Sequence, residues 1–109
     1  MGSGKDGGVL RDFYLGFIKI HILYHAGKEP VYGKEFRAEL KRHGYAVSFG
    51  TLYPVFHKLE KNGYLRSRGV TVKGKVRKYY SITPKGRRVL ALAKQRAREL
   101  VNEISGDGV

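Results

Sequence analysis

Between Leu10 and Ala26 apolar side chains crowd into one stretch, "LRDFYLGFIKIHILYHA". Phe13, Phe17, Ile20 and Tyr24 recur at helical spacing, and Ile18 and Ile22 widen the stripe. A helix that is apolar round much of its girth is buried on two sides, one against its own core and one against a partner. Gly27 marks its expected end, and "GKEPVYG" reads as a turn punctuated by Pro30 and Gly33. Lys34 to His43 predicts a second helix with Phe36 and Leu40 inward and Gly44 as its stop. After the short extended link "YAV", Leu52, Val55, Phe56 and Leu59 mark one face of a third helix. Asn62-Gly63 closes it, because glycine takes the left-handed conformation that ends helices.

The start of that third helix, "SFGTLYP", is unusual. Gly50 weakens a helix, Pro54 lacks a donor N–H, and Tyr53 points away from the apolar stripe. Pro54 is expected close to the first turn, where a missing donor costs little. Beyond Gly63 the period changes from helical to alternating. "YLRSRGVTVKGKVRKYYSI" predicts a β-hairpin with Gly74 at its tip. Thr83-Pro84 then opens a last helix, with Thr as N-cap and Pro at the first helical position, running to about Ile104. Leu90, Ala93, Ala97, Leu100 and Ile104 step by alternating threes and fours, the spacing of a helix-pairing seam.

Three helices, a hairpin and a fourth helix give a mainly α fold with a small β-hairpin. This is a winged helix-turn-helix with N- and C-terminal dimerisation helices. The expected division is a flexible start at 1–9, a DNA-binding domain at 10–83, a C-terminal dimerisation helix at 84–104 and a flexible tail at 105–109. The seam on the last helix and the outward side of the first, Phe13 and Phe17, are the expected dimer interface.

Charge sharpens this picture. The chain of 109 residues carries a net charge of +13. Residues 33–88 hold fifteen basic and three acidic side chains, so +12 of that excess lies in the middle of the chain. Uneven positive charge of this size attracts polyanions, nucleic acid foremost. The third helix would enter a DNA major groove and the hairpin would lie against the backbone. Gly50 lets the backbone come close. Ser48 and Thr51 cap the helix and can also bond a phosphate, and the N–H groups there favour an anion. Tyr53 can reach a phosphate or stack on a sugar or base, while His57 and Lys58 face outward one turn on. Lys34 at the second helix, and Lys73, Lys75, Arg77 and Lys78 on the wing, complete the basic set.

Other classes fit less well. There is no Cys, no paired-carboxylate motif and no phosphate-binding glycine loop, so no enzyme is expected. His21 and His25 stand four apart without an evident third ligand, so neither a metal nor a cofactor is called for. The run from Phe13 to Tyr24 is interrupted by Lys19 and His21, too short and polar to span a bilayer. Met1 to Gly8 is Gly-rich rather than apolar, and a cytoplasmic protein is expected. Two Asn, one Gln, one Met and no Cys amid many Lys and Arg fit a heat-adapted source. The expected partners are double-stranded DNA and a second copy of the chain, and the sequence leaves open whether a small-molecule effector exists and what it is. A non-specific architectural DNA- or RNA-binding protein would use the same charge without choosing a sequence.

"YGKEF", "GTLYPVFHKLEKNGYL" and "RKYYSITPKGRRVL" resemble the signatures of the PadR family of transcriptional regulators, over roughly Ile18 to Leu92. The resemblance implies a winged-helix dimer that binds a palindromic operator, usually as a repressor. It assigns DNA contacts to Ser48, Gly50, Thr51, Tyr53, Pro54 and Lys58, then to Lys78 and Tyr79 beside the wing, and places the start of the second helix at Tyr32-Gly33. Two features depart from the family pattern. Phe49 stands where proline is common, and the C-terminal part is a single short helix. The chain therefore resembles the short subgroup, and the phenolic-acid response of some long members does not carry over.

Overall fold

The computed structural model describes residues 7–106. Most of the expected flexible ends, residues 1–6 and 107–109, lie outside the described residues. Helix α1 spans Val9–Lys28, strand β1 Val31–Tyr32, α2 Gly33–Arg42, α3 Phe49–Lys61, β2 Leu65–Val72, β3 Lys75–Ile82 and α4 Pro84–Ile104. The four helices and small antiparallel sheet follow the expected order, with one addition. The segment read as a plain turn contributes β1, whose Val31 and Tyr32 pair with Tyr80 and Tyr79. The hairpin is thereby extended to a three-stranded sheet in the order β1-β3-β2.

The extent of α1 and the depth of Pro54 in α3 differ from expectation, for physical reasons. Helix α1 begins at Val9, after Gly8 in a left-handed conformation, and runs through Gly27 to Lys28. Its stop is Pro30, which drives the preceding Glu29 into extended space (φ −161°, ψ 161°). Pro54 is the sixth residue of α3, deeper than the first turn. The donor it lacks would have paired with the carbonyl of Gly50, four residues back and solvent-exposed, so water can take that donor's place.

The core forms where the helices meet the inner sheet face. Ile18, Ile22 and Leu23 of α1 pack with Leu52 and Phe56 of α3, and Tyr80 closes over Phe56 at 4.7 Å between ring centroids. Ile18, Ile22 and Ala26 step by fours, so the buried stripe of α1 lies beside the one defined by Phe13 and Tyr24, which remain exposed. The hairpin turn is two residues, Lys73 and Gly74, both at positive φ (51° and 78°). Such turns match the right-handed twist of the strands. Thr83 caps α4 as expected, its Oγ1 accepting from Gly86 N at 3.0 Å. Gly86 is the one buried residue of α4. Val89 and Leu90 reach the core, and the helix beyond them is largely exposed.

Candidate nucleic-acid interface

Helix α3 buries Leu52, Val55, Phe56 and Leu59 and turns its other side outward. Its start is built by local chemistry. Ser48 takes an extended conformation and its Oγ accepts from Thr51 N at 3.2 Å, while the two hydroxyls bond each other at 3.3 Å. Gly50, Tyr53, Pro54, His57 and Lys58 are exposed along this side. A Cβ added at Gly50 would touch only the Ser48 hydroxyl, at 3.7 Å, so the backbone there is open to close approach.

The wing meets this surface. Tyr53, Pro54 and His57 line an open cleft of about 720 Å³ together with Tyr32, Gly33, Val76, Lys78 and Tyr80. Residues alternate across a strand, so Val76 and Lys78 share the face of buried Tyr80 and Ile82, turned toward α3. Arg77 and Tyr79 lie on the opposite face and do not line the cleft. There the Arg77 guanidinium sits 4.8 Å from the Tyr32 ring centre, and Tyr79 packs on Tyr32 at 5.6 Å. Lys73 and Lys75 are exposed at the tip, and Lys34 is exposed at the start of α2.

Two acidic side chains of this region, Glu60 and Glu39, are occupied. Glu60 accepts from Ser67 and pairs with Lys78 Nζ at 3.1 Å. The Ser67 hydroxyl, then Lys78, holds the Glu60 carboxyl below its usual range, and Glu60 in turn raises Lys78. Lys78 is therefore a partnered cation, whereas no ion pair with another described residue involves Lys58, Lys73 or Lys75. Glu39 is engaged on its own helix by Arg42 and His43. Exposed Lys73 and Lys75 make the wing tip positive, and exposed Lys58 does the same for the outer side of α3.

Two residues outside the sequence-derived set bear on this surface. Arg37 of α2 donates through Nε to Val47 O at 2.7 Å, and its guanidinium lies 4.5 Å from the Phe49 ring centre. Phe49 stacks on Tyr53 at 5.1 Å with 18° between the planes. The Phe49–Tyr53 spacing of four residues on a helix signals this contact. Nothing local signals Arg37, twelve residues before Phe49.

The remaining candidates fall elsewhere. His21 bonds the carbonyl of Phe17 and stacks on His25, and burial followed by the neighbouring His21 lowers the pKa of His25. No group of three His, Cys, Asp or Glu among the described residues is placed to hold a metal ion. No helix among them is long and apolar enough to cross a membrane. Of the expected seam, Leu90 is partly buried in the chain's own core, Ala93 is half-buried, and Ala97, Leu100 and Ile104 are exposed. Phe17 is half-buried against Tyr45 at 5.0 Å.

Comparison with known proteins places this architecture. The model of the transcriptional regulator PadR-like family matches residues 22–92. A transcriptional regulator of Mycobacterium tuberculosis is 42% identical over 97 residues, covering 89% of this chain and 91% of that protein. Among solved structures, a PadR-like transcription factor of Bacteroides fragilis superposes with a TM-score of 0.79 at 29% identity, covering 91% of this chain and 97% of the other. A PadR family transcriptional regulator of Eggerthella lenta gives 0.80 at 29% identity, with 92% and 88% covered. A transcriptional regulator of Clostridium thermocellum gives 0.74 at 31%, with 90% and 98% covered.

Proposed function

Because the chain belongs to the PadR-like family of transcriptional regulators, we propose that it acts in the cytoplasm as a homodimeric repressor that recognises a palindromic operator. The observation that carries this reading is the shared cleft, where Tyr53, Pro54 and His57 of α3 face Lys78 of the wing. In it the start of α3 enters the major groove. Ser48, Gly50, Thr51 and Tyr53 fix the approach to the backbone, and His57 and Lys58 reach base edges. Lys34, Lys73, Lys75, Arg77 and Tyr79 surround this contact and hold phosphates on either side. Lys78 exchanges Glu60 for phosphate or bridges the two.

Residues 10–83 form the DNA-binding unit and 84–104 the dimerisation helix. Phe13, Leu100 and Ile104 are apolar and 64%, 49% and 73% exposed in the single chain. Burial of such side chains against a second copy is the simplest way to remove them from water. A two-fold dimer presents two α3 helices to half-sites about 10 bp apart, centre to centre.

Selection of bound sequences from random duplex DNA tests the reading. A two-fold symmetric consensus, with affinity falling steeply as salt rises, is the expected result. Equal affinity for every duplex would favour an architectural role instead.

A further inference from the structure

We propose that Arg37 and Phe49 are positioning residues for DNA recognition. Arg37 clamps Phe49, and Phe49 holds the Tyr53 ring in the orientation it presents to the duplex. The inference rests on the DNA-binding reading above.

Tyr53 is 56% exposed, so little of the fold restrains its ring. What does restrain it is specific. One face lies on Phe49, at 5.1 Å and 18°. One edge approaches Gly33, where an added Cβ would sit 3.7 Å from Tyr53 Cε1. Phe49 is itself held by a second contact. The Arg37 guanidinium lies over the Phe49 ring, 4.5 Å from its centre, and the Nε donation to Val47 O at 2.7 Å fixes that guanidinium in place. Arg37 thus ties α2 both to the linker backbone and to the first residue of α3. The result is a chain of contacts, from cation to half-buried ring to exposed ring, that ends on the proposed contact surface.

Such a chain of contacts acts by removing alternatives. A free tyrosine samples several staggered rotamers, and choosing one upon binding costs affinity. A ring already stacked has made that choice. An aromatic pair shifts such populations by about two- to tenfold, which sets the size of the expected effect. A planar guanidinium is suited to both the stack and the directed hydrogen bond, whereas a lysine ammonium is not.

The test is a double-mutant cycle on operator affinity, read at several salt concentrations, with circular dichroism melts alongside. Phe49→Ala should bind about two- to tenfold more weakly, with an unchanged salt slope because no phosphate contact is lost. Phe49→Tyr should restore affinity, and Phe49→Leu, which keeps bulk without a ring face, should not. In a Tyr53→Ala background, Phe49→Ala should cost nothing further. Arg37→Lys should show a smaller loss of the same kind. Tyr53 ring-proton NMR shifts, moved upfield by the Phe49 ring in the free protein, should return toward random-coil values in Phe49→Leu. An equal loss in the Tyr53→Ala background, or full affinity in Phe49→Leu, overturns the inference while leaving the DNA-binding reading intact. A wild-type protein that binds no duplex overturns both.

Discussion

Gly86→Ala should destabilise this protein, although alanine is the better helix former. Gly86 lies in the first turn of α4, where its N–H donates to the Thr83 cap. A Cβ there would stand well inside contact distance of Tyr64 O and 2.7 Å from Ile82 Cγ1. The obstacle is backbone, and it is held: Thr83 N donates to that same Tyr64 carbonyl at 3.1 Å, and Thr83 Oγ1 donates to Gly63 O at 2.5 Å. Relief requires α4 to move off the α3–β2 turn. Overpacking of this kind costs about 1–3 kcal/mol, and weakening the Thr83–Tyr64 bond adds about 1 kcal/mol. The helix propensity of alanine returns about 1 kcal/mol.

The net expectation is a loss of about 1–3 kcal/mol, or roughly 5–20 °C in Tm for a domain of this size. Gly27→Ala is the internal control. It also replaces a helical glycine, but its Cβ would meet Ile82 and Arg87 at 3.6–3.8 Å, ordinary contact. That variant should be neutral or stabilised by up to about 1 kcal/mol. Urea and thermal melts at one fixed protein concentration measure both, since association would otherwise shift the midpoints. A Gly86→Ala protein as stable as Gly27→Ala would refute the close approach of α4 to Tyr64.

Other perturbations probe the surface and the charges. Lys75→Ala should weaken binding to all duplexes alike and reduce the magnitude of the salt slope by about 1, whereas His57→Ala should change base preference at one half-site position, both measured by titration across operator variants. Leu100→Glu should yield a folded monomer with reduced operator affinity, because burying one leucine contributes about 1.5–3 kcal/mol and a two-fold interface counts it twice; sedimentation and circular dichroism read the two properties, and a variant that stays dimeric would shift the interface onto α1. His25 has its pKa lowered by burial and by His21, so the unfolded chain takes up the proton first, and stability should fall as pH drops through about 6.5. Urea midpoints between pH 7.5 and 5.5 should show a shallower decline for His25→Phe than for the wild type.

Periodicity and punctuation are local, and what depends on them is legible in the chain. The apolar face of α3, the Thr83-Pro84 start of α4, the hairpin tip at Gly74 and the concentration of positive charge each need only a short window of residues. The resemblance that led to the family rests on such windows too. Tertiary contact decided the rest. Gly27 looks like a stop but lies inside α1, because the constraint acts from Pro30 and the helix crosses Ile82 there. Which stripe of an all-round apolar helix faces inward depends on what packs against it, and α3 and the sheet selected Ile18, Ile22 and Ala26. Strand β1 is two residues long and exists because β3 offers an edge to pair with. Lys78 reads as one more free cation until Glu60 is found 3.1 Å away. Gly86 could be read only as part of a motif, since the atoms that forbid a side chain there belong to Tyr64, twenty-two residues earlier. Contacts between residues distant in sequence leave no period in it, so each of these waited on the fold.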